Sequence, residues 1–282
     1  MLKTAKKAKN LLGDSAEPVK RFLLSRMNTD GGFRGRSPAS DLYYTAFASE
    51  ALLALDTPLP VDKTAEYLDR FAVKDLDLVH LACLVRCRAN LGRNQPAETL
   101  AALEKFRSDD HGFNTFPKAK HTSAYACFLA LAAYQDLNER VPDADAIIDA
   151  IHTLRTPVNA YSNDTAVPAG STPATAAAIV VLHYLNCPVE KASIKWLWDG
   201  FTAGGFTAIP RIHMPDLLST ATALHAMNLA GASFDNIRQP CLDFLNSLRT
   251  AQGAFCANQA DNTPDCEYTY YGLLALGNLS DK

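Results

Sequence analysis

Two tryptophans, four methionines and a nearly even balance of charge leave this 282-residue chain without several common signatures. No apolar run reaches the length of a bilayer span. The longest, about residues 174–185, is too short to cross one. The seven cysteines are odd in number and include no Cys-x-x-Cys pair, which predicts reduced thiols in a cytoplasmic protein. Lys+Arg total 27 against 30 Asp+Glu, so there is no basic footprint for nucleic acid. Lys3, Lys6, Lys7 and Lys9 open the chain, but Gly13, Asp14, Ser15 and Glu17 interrupt any apolar core behind them. That pattern argues against a signal peptide. No linker, low-complexity tract or second domain stands out.

What the chain does have is a phrase that returns along its length: a Gly/aromatic turn, a polar loop, then a capping residue that opens an apolar helix. Gly31-Gly32-Phe33 leads to Asp41 and Thr45. His111-Gly112-Phe113 leads to His121 and Tyr125, and Asn159-Ala160-Tyr161 to Ser171 and Thr175. Gly204-Gly205-Phe206 leads to Asp216 and Thr220, and Gly253-Ala254-Phe255 to Asp265 and Thr269. A sixth copy, at Asp77 and Leu81, keeps the helix without the turn. Helix openings at 41, 77, 121, 171, 216 and 265 leave room for two helices per copy, the mark of a repeat architecture.

The helices opening at those positions are apolar nearly all round, as expected of helices buried on every side. Between them lie amphipathic segments at 18–27, 63–71, 97–106, 144–154, 190–198 and 237–248. Six inner helices therefore alternate with six outer ones in an all-α chain. An open solenoid would want polar capping repeats at its ends, whereas the last copy, ending Leu273-Leu274-Ala275-Leu276, is as apolar as the middle ones. The expectation is a closed double ring, with the first and last hairpins meeting. Residues 1–282 would form this single domain, with the repeats over about 17–279 and a basic, poorly ordered lead-in over about 1–16.

The Gly-Gly-Phe turn with its acidic-x-x-x-Thr-Ala helix start resembles the repeat of protein prenyltransferase β subunits, whose wider kin are the terpenoid cyclases. The resemblance covers about residues 17–279 and implies the (α/α)6 toroid fold. It also implies an isoprenoid substrate, and a helical protein partner of the kind found in prenyltransferase heterodimers. The family's zinc ligands are an Asp opening the fifth inner helix, a Cys two residues on, and a His early in the sixth. Asp216 matches the first, but Leu218 and Tyr268 stand at the other two positions. Zinc makes the acceptor thiol a thiolate, so transfer to a protein cysteine is not implied for this chain. A rearranged donor set of His213, Asp216, Cys266 and Glu267 has acceptable ligand types, although Asp216 and Glu267 also suit the first turn of a helix.

The candidate chemistry gathers where the inner helices begin. Asp41, Asp77, Asp216 and Asp265 are preferred N-caps; Asp216 and Asp265 would serve as catalytic acids if burial raised their pKa. The Asp-x-Asp-Asp motif of class II terpene cyclases is absent. Arg211 and His213 fall where the family holds a diphosphate, and His121, which breaks the capping series because Thr122 or Ser123 can cap instead, could join them. Magnesium would bridge such an anion to the nearby carboxylates. Tyr44, Tyr125, Tyr268 and Tyr270 head the aromatic residues that would line an apolar cavity and face a developing carbocation. Two readings stand: an isoprenoid-handling enzyme, either prenyltransferase-like or a metal-free cyclase, and a non-catalytic toroid that binds lipid or protein. Because Leu218 cannot coordinate zinc, chelators should leave the circular-dichroism melt unchanged. Stoichiometric zinc that disappears in Asp216→Ala would contradict this.

Overall fold

The computed structural model describes residues 1–165, 169–210 and 212–280. Among them, twelve helices alternate outer and inner. The outer helices are α1 (Ala16–Ser25), α3 (Val61–Leu68), α5 (Pro96–Leu103), α7 (Ala144–Thr153), α9 (Lys191–Asp199) and α11 (Arg238–Ser247). The inner helices are α2 (Leu42–Ala54), α4 (Leu78–Asn90), α6 (Ala124–Asp136), α8 (Thr172–Tyr184), α10 (Leu217–Leu229) and α12 (Cys266–Leu279). No helix among the described residues is long and apolar enough to cross a membrane. The chain divides into two compact units, Met1–Tyr67 with Gly200–Lys282, and Leu68–Asp199.

One device builds the hairpins. The backbone amide of the turn aromatic donates to a threonine hydroxyl one turn inside the next inner helix. Phe33 N–H reaches Thr45 at 2.9 Å, Tyr161 reaches Thr175 at 2.9 Å, Phe206 reaches Thr220 at 2.9 Å and Phe255 reaches Thr269 at 3.3 Å. Three of those hydroxyls donate onward to the cap residue's carbonyl: Thr45 to Asp41, Thr220 to Asp216 and Thr269 to Asp265, at 2.6–2.7 Å. The aromatic rings are fully buried. Short antiparallel pairings hold the turns, as between β1 (Phe33–Arg34) and β2 (Ser40–Asp41), and between β3 (Phe201–Thr202) and β4 (Gly205–Phe206).

In the first unit, α12 packs against both α10 and α2, so the last inner helix lies beside the first. The turn of the last copy also meets the first outer helix. Gly253 has φ +86°, and a Cβ there would come within 2.7 Å of the Val19 nitrogen. The meeting of first and last hairpins expected from the apolar last copy is present at this seam.

Residues 1–16 are not the poorly ordered lead-in that their charge suggested. Helical turns run from Leu2 to Ser15. Ala5, Ala8 and Leu12 recur at helical spacing and are buried, while the lysines face outward. These turns pack on α2 and α12 at the end opposite the caps: a Cβ on Gly277 would overlap the Thr4 carbonyl, and Lys9 pairs with Asp56 just beyond α2.

In the second unit, α4, α6 and α8 pack side by side, with α5 on α4 and both α7 and α9 on α8. In the second turn the inner helix is capped by Ser123, one of the two residues able to cap in place of His121: the Ser123 hydroxyl accepts from Ala126 N–H at 3.3 Å. The threonine role then falls to Cys127, which takes the Phe113 amide at 3.3 Å together with Thr122 at 3.1 Å.

Thr220→Val keeps shape but strands the Phe206 amide in the core, so it should cost about 1–3 kcal/mol in urea melts. Thr222→Val only removes a hydroxyl bonded to its own helix at Leu218, and should stay within about 0.5 kcal/mol. Equal effects would contradict the role of the turn bond.

Candidate functional site

The first unit brings most of the candidate residues together at the start of α2, α10 and α12. Each of these helices is capped by an aspartate whose carboxylate accepts first-turn amides: Asp41 from Tyr43 at 2.7 Å, Asp216 from Ser219 at 2.8 Å and Asp265 from Tyr268 at 2.9 Å. With the caps set, α2 presents Tyr43, Tyr44 and Phe47, and α12 presents Glu267, Tyr268 and Tyr271, all half-buried. The rings form a ladder. Tyr43 meets Tyr44 edge-on at 5.5 Å and Phe47 at 4.8 Å, and Phe47 meets Tyr270 at 5.7 Å and Tyr271 at 5.5 Å. Leu218 and Thr222, one helical turn apart on α10, are half-buried as well.

Three carboxyls around this ladder have different surroundings. Asp265 is buried and takes the Arg36 Nε at 2.9 Å, while Arg36 Nη2 reaches Asp261 at 2.7 Å. Arg36 thus clasps the first hairpin loop to the last. Its own pKa is raised, first by the Asp265 bond. Its guanidinium lies 5.7 Å from the Tyr268 ring centre, and burial pushes that phenol up to about 12. Asp216 binds both the amide and the hydroxyl of Ser219, the latter at 2.7 Å, and burial raises its pKa despite these bonds. Glu267 accepts the Tyr43 hydroxyl at 2.7 Å, and burial likewise raises its pKa. Of the two acids anticipated from sequence, Asp216 has the raised pKa, whereas both oxygens of Asp265 are engaged by Arg36 and Tyr268.

The remaining candidates lie elsewhere. His213 is exposed on the loop before α10, and Arg211 falls outside the described residues. His121 and Tyr125 belong to the second unit and are exposed; His121 comes only within 4.0 Å of Asp110. The rearranged set of His213, Asp216, Cys266 and Glu267 does not suit a metal. Among the described residues no group of three or more His, Cys, Asp or Glu is placed to hold one. The Cys266 sulfur faces the Arg34 carbonyl at 3.8 Å, and burial pushes its thiol up to about 12. The family's own zinc arrangement fits no better, with Leu218 and Tyr268 at two ligand positions.

Arg36 and Phe47 belong to the site although their sequence setting did not single them out. Arg36 sits in a loop without periodicity. Phe47 follows Tyr43 at a step of four, a helical spacing that could have placed both on one face.

The prenyltransferase α/α-toroid domain model matches residues 71–200 and 174–281. The chain belongs to the prenyltransferase α/α-toroid family. Its six inner and six outer helices are the paired helices of that toroid domain. Among solved structures, a variant of the type II terpene cyclase MstE from Scytonema, in complex with geranylgeranyl dihydroxybenzoate, is similar with a TM-score of 0.64. It shares 14% identity over 97% of both chains. Candida albicans protein geranylgeranyltransferase-I complexed with GGPP gives 0.59 at 16% identity, over 94% of this chain and 77% of that one. A protein from Actinoplanes gives 0.61 at 14% identity, over 95% and 99%. At these identities the likeness is one of fold. No curated protein matches the sequence.

The raised carboxyls make stability pH-dependent. A folded-state pKa above the unfolded ~4.3 of glutamate gives stability that is full below that value and is lost as pH rises through the folded one. Glu267→Gln keeps an acceptor for Tyr43 and removes the charge. It should be near neutral at about pH 4 and progressively more favourable toward about pH 7. Urea melts showing no pH trend in the difference would contradict this.

Proposed function

We propose that this protein binds an isoprenoid chain with a neutral head along the aromatic ladder of α2 and α12, and acts on it by acid chemistry rather than by metal-assisted transfer to a thiol. The observation that carries the reading is the Tyr43–Glu267 pair beside Phe47 and Tyr271. It sets a carboxyl whose pKa burial raises against aromatic faces able to stabilise a cation. Family membership supports an isoprenoid. The Scytonema cyclase is in complex with geranylgeranyl dihydroxybenzoate, and the Candida transferase with GGPP. The local charge favours the neutral head. Asp41, Asp216 and Asp265 cap the helices at this end and Glu267 follows, while the guanidinium of Arg36 is already paired with Asp261 and Asp265.

In this reading Glu267 is the proton donor. Its O–H bond breaks, the alkene π pair forms the new C–H bond, and the cation develops against Tyr43, Phe47 and Tyr271. Asp216, with both oxygens held by Ser219, serves its own helix as a cap. A diphosphate held by Arg211, His213 and magnesium is the competing arrangement, and the same titration separates the two.

Calorimetric titration with geranylgeraniol and geranylgeranyl diphosphate should show the alcohol binding at least as well, with no gain from magnesium. Gas chromatography of the alcohol after incubation should show cyclised isomers that Glu267→Gln abolishes. Tighter diphosphate binding by about tenfold or more, strengthened by magnesium, would overturn the neutral-head reading. Binding without isomers from the natural protein would overturn the acid chemistry and leave a lipid-binding toroid.

A further inference from the structure

The loop after the second turn aromatic, in the second unit, holds a phenylalanine out in water. Between Phe113 and the cap Ser123, Phe116 is 74% exposed, more than any other large hydrophobic side chain among the described residues. A single exposed apolar side chain is ordinary. This one is held in place by its own loop. The Asn114 amide donates to the Phe106 carbonyl at 2.9 Å, and its side-chain nitrogen donates to the His121 carbonyl at 2.8 Å. Its side-chain oxygen accepts the Phe116 amide at 3.1 Å. From the other side, the Asp109 amide donates to the Ala119 carbonyl at 2.9 Å, and Asp110 accepts the Thr122 amide at 2.9 Å. Lys118 takes a left-handed backbone at φ +59°, which a lysine rarely adopts. Hydrogen bonds and a strained residue thus maintain a shape that leaves the ring without cover. The charge around it has one sign. Residues 111–121 hold Lys118, Lys120, His111 and His121 and no acid, in a chain with more acids than bases. Lys118, Lys120 and His121 are exposed, and among the described residues neither lysine is in an ion pair.

We propose that the loop of residues 114–121 docks the protein on an anionic lipid surface. The Phe116 ring enters the boundary between headgroups and acyl chains, and Lys118 and Lys120 meet the lipid phosphates. An apolar ring flanked by lysines suits such a boundary, because the ring gains by leaving water while the ammonium groups stay at the charged layer. Nucleic acid fits less well: its binding takes many phosphate contacts, and the chain as a whole is acidic. One ring and two lysines make an attachment that is weak, reversible and sensitive to salt. The assignment stands on the loop alone. The isoprenoid reading adds a reason for it, since a long apolar alcohol leaves water for membranes and has to be collected there.

Vesicle flotation without any isoprenoid tests this. At low salt the full chain should float with vesicles of phosphatidylcholine and phosphatidylglycerol, and much less with phosphatidylcholine alone. Phe116→Ser should lower the partition coefficient about tenfold, as expected for losing a ring that leaves water. Lys118→Ser combined with Lys120→Ser should lower it by about fivefold per lysine and remove most of the preference for the anionic lipid. All three side chains are exposed, so thermal melts should match the natural protein. Phe116→Trp reports insertion directly. It should bind like the natural protein, and its added emission, above that of Trp196 and Trp198, should shift to the blue and be quenched by lipids with brominated chains. Absence of flotation with anionic vesicles at low salt would overturn the proposal. So would flotation undiminished in Phe116→Ser and in the lysine variant, which would place the contact on another basic face. Flotation of Phe116→Trp with no blue shift and no quenching would overturn the insertion of the ring. None of these outcomes bears on the titrations with geranylgeraniol, so the two readings fail separately.

Discussion

A single hydrogen bond, repeated, holds the architecture: the amide of a buried turn aromatic donating to a hydroxyl just inside the next inner helix. It ties loop to helix in the core, where an unpaired amide would be costly. It also places each ring against its neighbours and fixes the rotation of the inner helix about its own axis. Which side chains face the seam, and which carry only packing, follows from that rotation. The capping aspartates depend on it too, since the same threonines bond the carbonyls of Asp41, Asp216 and Asp265.

The site uses what this scaffold leaves over. Once the caps have taken their amides, Asp41 and Asp216 are committed to helix starts, and Asp265 is committed both to its helix and to the Arg36 clasp. The carboxyl left facing the aromatic ladder at the helix starts is Glu267, bonded to a phenol and with its pKa raised by burial. The family zinc positions are filled by a leucine and by a tyrosine lying near a guanidinium, so these helix starts present rings and a carboxyl where the family places a metal. Acid chemistry and metal chemistry are thus alternative uses of one set of helix N-termini.

Much of this was legible before any coordinates. All twelve helices and the meeting of first and last hairpins follow from the Gly/aromatic phrase and from the alternation of wholly apolar with amphipathic segments. The copy around Phe113 left its cap open between Thr122 and Ser123, which are adjacent and can both cap. The spacing of fourteen residues between turn aromatic and threonine, shared by Tyr161–Thr175, Phe206–Thr220 and Phe255–Thr269, would have pointed to Cys127. The lysine-rich start was misjudged by weighing its charge over the spacing of Ala5, Ala8 and Leu12. Arg36 was beyond reach for a different reason: its partners lie more than two hundred residues away, and no local pattern encodes such a pairing.

Photoaffinity labelling tests the central claim most directly. A geranylgeraniol carrying a diazirine along its chain, irradiated with the protein and mapped by peptide mass spectrometry, should label residues 42–54 and 266–279, with Phe47 and Tyr271 foremost. Excess unlabelled alcohol should compete the signal away. Labelling confined to the exposed loop around Ile209, Ile212 and Met214, or spread over the surface without competition, would contradict the account.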